Sequence, residues 1–362
     1  MMVRAYPIAI ASPNDLNGLE RLIQEGEINP RDVIAILGKT EGNGCVNDFT
    51  RAFTTQTLCH YFATLLKLSS EAVANRIAMV MSGGTEGVLS PHITVFVTTE
   101  HVSPKTTNEK RLAIGIEQTR DYRPEEIGTP TQATEVRAAV HRAIQKAGII
   151  DIADVHFVQT KCPLLTSARI AEAKGRGRAT VTEDTYESMA YSRAASALGI
   201  AMATGEISQD DVNEQTILHR RNLYSTVAST SAGIEVMHDV VIVLGNSETS
   251  ASHLCIGHDV MYDALDADAI SRAIGSRVGV ERIVNVFAKA EADPSGAIRG
   301  ARHTMLTDSD ISHTRMARAV VGAVLAAKTG RSMIYVSGGA EHQGPPGGGP
   351  VAVIWNANGN EG

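Results

Sequence analysis

Aromatic residues make up only 4% of this 362-residue chain, so alanine, valine, isoleucine and leucine must fill its cores. Cysteine is nearly as scarce. Cys45, Cys59, Cys162 and Cys255 stand alone with no CxxC spacing, which argues against a disulfide scaffold. We expect reduced thiols and a cytoplasmic location. No lysine- or arginine-rich block occurs and the net charge is −7, which speaks against nucleic acid or an anionic membrane as partner. No apolar run approaches the ~18 residues needed to span a bilayer. The start, Met-Met-Val-Arg-Ala-Tyr-Pro, lacks the organisation of a signal peptide. The twelve histidines form no HExxH pattern, and no Asn-x-Ser/Thr acceptor occurs. What remains is a globular chain, 43% apolar and 20% charged, long enough for two or three domains at about 150 residues each.

Three ordered signals recur along it. The first is an apolar strand ending in lysine: Asp32 to Lys39, Asp154 to Lys161, and Arg282 to Lys289. Each has a charged residue seven positions before the lysine and a β-branched, apolar run between, the pattern of a buried strand. The second is a small-residue helix opening with Arg-Ala at Arg51, Arg193 and Arg318; the last two close at Gly205 and Gly330, as a C-cap requires. The third is Ser-[Gly/Ala]-Gly-x-Glu, at Ser82–Glu86, Ser231–Glu235 and Ser337–Glu341. Opening strands are expected at 3–10, 111–117 and about 252–257, and closing strands at 93–97, 240–244 and 351–355. Ala133, Val136, Val140, Ile144 and Ala147, stopped by Gly148, predict an amphipathic helix. The fold expected is α/β: three similar β-α-β-α-β-β units around a pseudo-three-fold axis with a central active site. Their bounds are 1–104, 111–248 and 252–362, with linkers near 98–110 and 246–251.

Three units about one axis would bring three lysines, three arginines and three serines together, a lining suited to a small, flat, carbonyl-rich ligand or anion. A strand-end serine followed by Gly or Ala can attack a carbonyl while the next backbone N–H groups hold the oxyanion. It needs a base, and a lysine whose pKa is depressed by burial and neighbouring cations can serve. Arginines can fork ring oxygens and hold a ring in register. A cation is also misplaced at a helix N-terminus by the helix dipole, which favours a ligand contact for the Arg-Ala openings. The three serine–lysine pairs look alike, so the residues alone do not say which one works.

Other features read differently. Gly38-Lys39-Thr40 resembles the end of a P-loop, but Val33 stands where its first glycine should be, which argues against a nucleotide-dependent enzyme. Cys162 alternates with Lys161 and is expected in the core; His342 is expected at the surface or behind the site. The Gly/Pro-rich stretch 340–350 is a loop that could wrap a hard cation with carbonyls, Glu291 being the nearest carboxylate.

The motifs carry a resemblance. Gly38-Lys-Thr-Glu-Gly-Asn-Gly-Cys-Val-Asn-Asp48, Met81-Ser-Gly-Gly-Thr-Glu-Gly-Val-Leu-Ser-Pro91, Phe157–Leu165, Arg282–Glu291 and Val336-Ser-Gly-Gly-Ala-Glu-His-Gln-Gly344 are similar to those of the cyanuric acid hydrolase and barbiturase family. The resemblance spans the chain and is nearer the hydrolase side. It implies hydrolysis of one ring amide of cyanuric acid to carboxybiuret, which decarboxylates to biuret, in a homotetramer. It implies Ser231 as nucleophile and Lys161 as general base. Substrate would be held by Arg51, Arg193 and Arg318 (or Arg315), by Ser82-Gly83, Ser231-Ala232 and Ser337-Gly338, and by Lys39 and Lys289. It further implies a structural divalent cation, magnesium or calcium, at Glu291, Ala340, Gln343, Gly344, Pro345 and Gly348. Barbituric acid as substrate, and a non-catalytic small-anion binding protein, stand as alternatives.

Overall fold

In the computed structural model, residues 1–100, 109–275 and 278–358 are described. The linker expected near 98–110 and the last residues of the third unit fall partly outside them. The fold is mixed α/β. Strands β1 (Met2–Ala9), β2 (Val33–Thr40), β3 (Ala78–Gly83) and β4 (His92–Thr99) form one sheet in the order β1-β4-β2-β3. Strands β5 (Arg111–Gln118), β6 (Val155–Pro163), β7 (Ala228–Gly233) and β8 (Val240–Ser247) form a second, β5-β8-β6-β7. The third holds β9 (Leu254–Met261), β10 (Ile283–Ala290), β13 (Tyr335–Gly338) and β14 (Gly349–Asn356) in the order β9-β14-β10-β13. A two-stranded ribbon, β11 (Ala297–Ile298) and β12 (Ala301–Arg302), lies apart. Every sheet thus runs first, last, second, third, with the second and third strands parallel and the other pairings antiparallel.

The expected strands are all present, and each lysine strand starts from a 3-10 turn ending on its charged residue: Asp32, Asp154 or Arg282. Helices α1 (Asn17–Gln24), α4 (Pro130–Lys146) and α7 (Ala269–Ile274) follow the opening strands. Helices α2 (Phe49–Leu66), α6 (Thr185–Ala203) and α8 (His313–Thr329) follow the lysine strands; α3 (Ser70–Arg76) and α5 (Ser167–Gly175) are additional. The helix stopped by Gly148 is α4, and Gly148, Gly205 and Gly330 all take positive φ, as C-cap glycines do.

One expectation fails. Only Arg51, third in α2, lies in a first helical turn. Arg193 is ninth in α6, whose true start is capped by Asp184, and Arg318 is sixth in α8. The dipole argument therefore holds for Arg51 alone. Helix α6 is buried along nearly its whole second half, so its small residues give no amphipathic contrast to mark where it begins.

Strand alternation divides the core. One face of all three sheets meets in a common cluster that includes Leu37, Val80, Phe96, Ile114, Phe157, Phe287, Tyr335 and Ile354. At its centre the rings of Phe157 and Phe287 lie 4.7 Å apart and those of Phe287 and Tyr335 5.8 Å apart. The opposite faces carry helices: Ile36 and Val95 pack with Leu58 and Phe62, Val158 with Val136 and Ile200, and Val286 with Val321 and Leu325. Truncating Phe287 to alanine should cost about 3–5 kcal/mol in urea unfolding, since all three sheets lose a shared neighbour. Truncating the exposed Phe53 should stay within about 0.5 kcal/mol; equal effects would contradict the shared core.

Candidate active site

Alternation that points Leu37, Phe157 and Phe287 into the shared core also points Lys39, Lys161 and Lys289 there, at the last turn of each strand. Each lysine has a serine as its direct partner on the neighbouring parallel strand: Lys39 with Ser82, Lys161 with Ser231, Lys289 with Ser337. All six are buried. The cavity above them, of about 20 Å³, is lined by Arg51, Arg193 and Arg318, by the three serines, and by Gly83, Ala232 and Gly338, with Gly44 and Met189. It lies below the ~300–1,000 Å³ typical of drug-sized ligands, so its occupant must be small. Every residue expected to hold substrate, apart from Lys39 and Lys289 beneath the serines, is on this wall. Arg315 borders an adjoining wider cleft instead, with Asn43, Tyr186 and His313, so Arg318 is the central arginine.

The three pairs are not equivalent. Lys39 Nζ donates to Ser82 Oγ at 3.2 Å and to the Gly83 carbonyl at 2.9 Å. Lys289 Nζ donates to Ser337 Oγ at 3.1 Å, the Gly338 carbonyl at 3.1 Å and the Thr230 carbonyl at 3.0 Å. Lys161 Nζ instead donates to the Met81 carbonyl at 3.2 Å and pairs with Glu235 at 2.8 Å. Among the described residues no hydrogen bond joins it to Ser231.

Two of the arginines pair with distant glutamates. Arg193 forks Glu341 through Nε and Nη2 at 2.8 and 2.6 Å, and Arg318 forks Glu86 at 2.8 and 2.5 Å. Arg51, facing the Ser231 segment, should fork Glu235 on the same logic. It donates instead to the Ala232 and Cys45 carbonyls, at 3.0 and 2.6 Å, while its buried Nε lies 3.8 Å from Asp48 and makes no hydrogen bond among the described residues. These three glutamates went without a role in the sequence reading. Their signal was the last letter of the Ser-[Gly/Ala]-Gly-x-Glu repeat, but a pairing between units is not visible in spacing.

Burial dominates the electrostatics. It pulls Lys39 well below the ordinary lysine value, and the Arg318 charge adds to the effect. Burial and the Arg193 charge bring Lys289 down to about 7. Burial lowers Lys161 too, with Glu235 opposing and Arg51 assisting. Burial raises Glu235, but the charge and hydrogen bond of Lys161 together with the Arg51 charge outweigh it and the carboxyl falls to about 2.

The remaining candidates sort clearly. Cys162 is fully buried and its thiol is pushed up to about 12 by burial, an inert core group. Gly38-Lys39-Thr40 lies within β2 and forms no phosphate loop. His342 is buried, contrary to a surface position: Nδ1 meets the Leu223 carbonyl at 2.5 Å and Nε2 accepts from Leu218 N–H at 2.9 Å, pinning the loop. In the expected cation loop, Glu291 accepts from the N–H groups of Ala292 and Ala340, both at 3.1 Å. The Gln343 side chain turns away, accepting from Thr230 N–H at 2.7 Å and donating to the Gly339 and Glu341 carbonyls. The carbonyls of Ala340 and Pro345 close tight turns onto Gln343 and Gly348. Among the described residues no group of three or more His, Cys, Asp or Glu could hold a metal. The available set is one carboxylate plus carbonyls, an all-oxygen environment that fits a hard cation and no thiophilic one.

Residues 4–356 match the family described as Amidohydrolase ring-opening protein. The chain is 55% identical to a cyanuric acid amidohydrolase of Pseudomonas sp. (strain ADP), covering 98% of this chain and 99% of that one. It is 56% identical to a cyanuric acid amidohydrolase of Bradyrhizobium diazoefficiens, covering 97% of each. A solved structure described as cyanuric acid hydrolase, an evolutionary innovation by structural concatenation, superposes with a TM-score of 0.95 at 54% identity, over 98% of this chain and 99% of that one. A cyanuric acid hydrolase structure from A. caulinodans does so at 0.91 with 48% identity, over 99% of each chain.

Replacing Glu341 by glutamine leaves Arg193 buried without its counter-charge and should cost about 3 kcal/mol, measured by denaturant unfolding. Glu86, Glu235 and Glu341 all sit below their ordinary 4.5, so the unfolded chain takes up their protons first. Their stabilisation is present above about pH 4.5 and is lost as pH falls toward 2, through the folded-state values. The thermal midpoint should fall across that window, and fall less steeply in Glu341→Gln. Parallel curves would contradict the assignment.

Proposed function

The chain belongs to the ring-opening amidohydrolase family and is an amidohydrolase, and on that premise we propose that it hydrolyses one ring amide bond of cyanuric acid. The product would be carboxybiuret, which loses carbon dioxide to give biuret. One observation carries the reading: a serine and a small residue from each of three like sheets, and an arginine from the helix after each lysine strand, line a single cavity. A ring with three equivalent carbonyls is the ligand that such a lining matches. We take 1–104, 111–248 and 252–362 as three units about a pseudo-three-fold axis. Their common strand order, common 3-10 turns and the two arginine–glutamate forks that join them support it.

In this reading neutral Lys161 takes the proton of Ser231, whose Oγ attacks a ring carbonyl carbon. Backbone N–H groups after the serine and the nearby arginines stabilise the oxyanion. Lys161 returns the proton to the leaving ring nitrogen as the C–N bond breaks. Water then hydrolyses the acyl-enzyme and restores Ser231. Lys39 and Lys289, bonded to Ser82 and Ser337, hold those hydroxyls toward the other two faces of the ring.

A second assignment has an observation in its favour. The Lys39–Ser82 and Lys289–Ser337 contacts are formed already, whereas Lys161 rests on Glu235. Alanine variants of the three serines separate the readings. Ser231→Ala should lower ring-opening turnover at least ~10³-fold, and Ser82→Ala and Ser337→Ala only about 10–100-fold. Loss confined to Ser337→Ala or Ser82→Ala would move the nucleophile there. Turnover of barbituric acid in preference to cyanuric acid would overturn the substrate.

We also propose a divalent cation, magnesium or calcium, bound by Glu291 with carbonyls among Ala340, Gln343, Gly344, Pro345 and Gly348. It would tie the loop to β10 and supply no step of the reaction. Chelator treatment should lower the thermal midpoint, with recovery on adding either ion; an unchanged midpoint would remove the cation. We propose a homotetramer as the assembly.

A further inference from the structure

The middle unit departs from the other two at one point of backbone. Gly84 and Gly339, the second glycines after Ser82 and Ser337, take left-handed φ of +100° and +74° and lie against the guanidinium groups of Arg318 and Arg193. That turn delivers Glu86 and Glu341 to their arginines. Their counterpart Gly233 is the last residue of β7 and is absent from the left-handed region. A Cβ placed on it would strike the Glu235 carboxylate at 2.2 Å and Lys161 Cε at 2.5 Å. Glu235 is thereby folded back over Gly233 onto Lys161, and Arg51 Nε, which the three-unit pattern would assign to it, is buried with no hydrogen bond among the described residues, its nearest carboxylate being Asp48 at 3.8 Å.

We propose that Glu235 is a positioning residue for the Ser231–Lys161 pair: it holds Lys161 in the empty site and moves to Arg51 when a ring occupies the cavity. The inference rests on the reading of Ser231 and Lys161 as the working pair. Gly233, free to adopt left-handed φ as its two counterparts do, is the hinge. In the empty site Lys161 is an ammonium held by Glu235. When the carboxylate forks Arg51, that ammonium loses the carboxylate that favours it and keeps the Arg51 charge beside it. It gives its proton to solvent at the opening where Glu235 is one-third exposed, and the neutral amine turns to the Ser231 hydroxyl. The charged and titratable groups facing these residues are Arg51 and Cys162 around Lys161, Lys161, Arg51 and, from α5, Arg169 around Glu235, and the buried Asp48 beside Arg51. The other two units need no such device, because their glutamates are already on arginine and their lysines already on serine.

The test is the pH dependence of kcat/KM for cyanuric acid in the full-length enzyme. Glu235→Gln should shift the acid limb to lower pH by about one unit or more, because the carboxylate that favours charged Lys161 is gone. It should also lower kcat, since Arg51 stays without its fork, while Glu235→Asp should return the limb toward wild type. Glu86→Gln and Glu341→Gln should raise KM and leave the limb in place. An unmoved limb in Glu235→Gln, or an equal shift in all three variants, would overturn the proposal. Should Glu235→Gln fail to fold, a crystal structure of the wild-type enzyme with barbituric acid decides. Glu235 within about 3 Å of Arg51 Nε, with Gly233 left-handed, is expected; a retained Glu235–Lys161 pair with the ring bound would overturn it. Turnover surviving in Ser231→Ala would instead defeat the underlying assignment, whereas a dead Ser231→Ala with an unmoved limb defeats this inference alone.

Discussion

Six cationic side chains meet at the end of one dry core, and the site's behaviour follows from how their charge is relieved. Lys39, Lys161, Lys289, Arg51 and Arg318 are buried and Arg193 nearly so, its side chain 13% exposed. Three glutamates face them. Two are spent on arginine forks, so the lysines of those units can relieve the crowding only by losing their protons. Burial and neighbouring arginines lower Lys39 and Lys289 accordingly. One constraint thus supplies both neutral amines able to act as bases and guanidinium groups able to meet ring oxygens.

The fold exists to create that crowding. Each sheet turns alternate residues toward a shared interior, and the residue that closes each lysine strand is of the same parity as the apolar residues beneath it. Lys39 crowns Leu37, Lys161 crowns Phe157 with Gln159 between, and Lys289 crowns Phe287. The parallel partner strand sets a serine beside each lysine by register alone. A symmetric grip needs only these local rules repeated three times. An asymmetric reaction, attack at one carbonyl, needs a difference between repeats, and the difference sits at Gly233 and Glu235.

This history explains what could be read beforehand. The strands were legible because their apolar runs and terminal lysines are local features, as were the C-cap glycines. Arg51, Arg193, Arg318 and the serines followed from repetition. Helix α6 was cut short because its residues are small and buried on most faces, so neither propensity nor periodicity marks Thr185 as the start. The glutamates went without a role because each meets a cation far away in sequence, Glu86 with Arg318, Glu341 with Arg193 and Glu235 with Lys161. Sequence alone leaves His342 at the surface or behind the site; its backbone takes a left-handed φ of 56° and its ring turns inward to bond Leu223 and Leu218, so the surface alternative falls.

The most direct measurement is NMR of protein carrying ¹³C-labelled lysine, following the ε-carbon resonances against pH, with single lysine variants to assign them. Lys39 and Lys289 are expected to titrate well below the ordinary 10.5, and Lys161 below it by less while Glu235 holds it. All lysines titrating together near 10.5 would contradict the claim that crowded, buried charge makes the bases of this site.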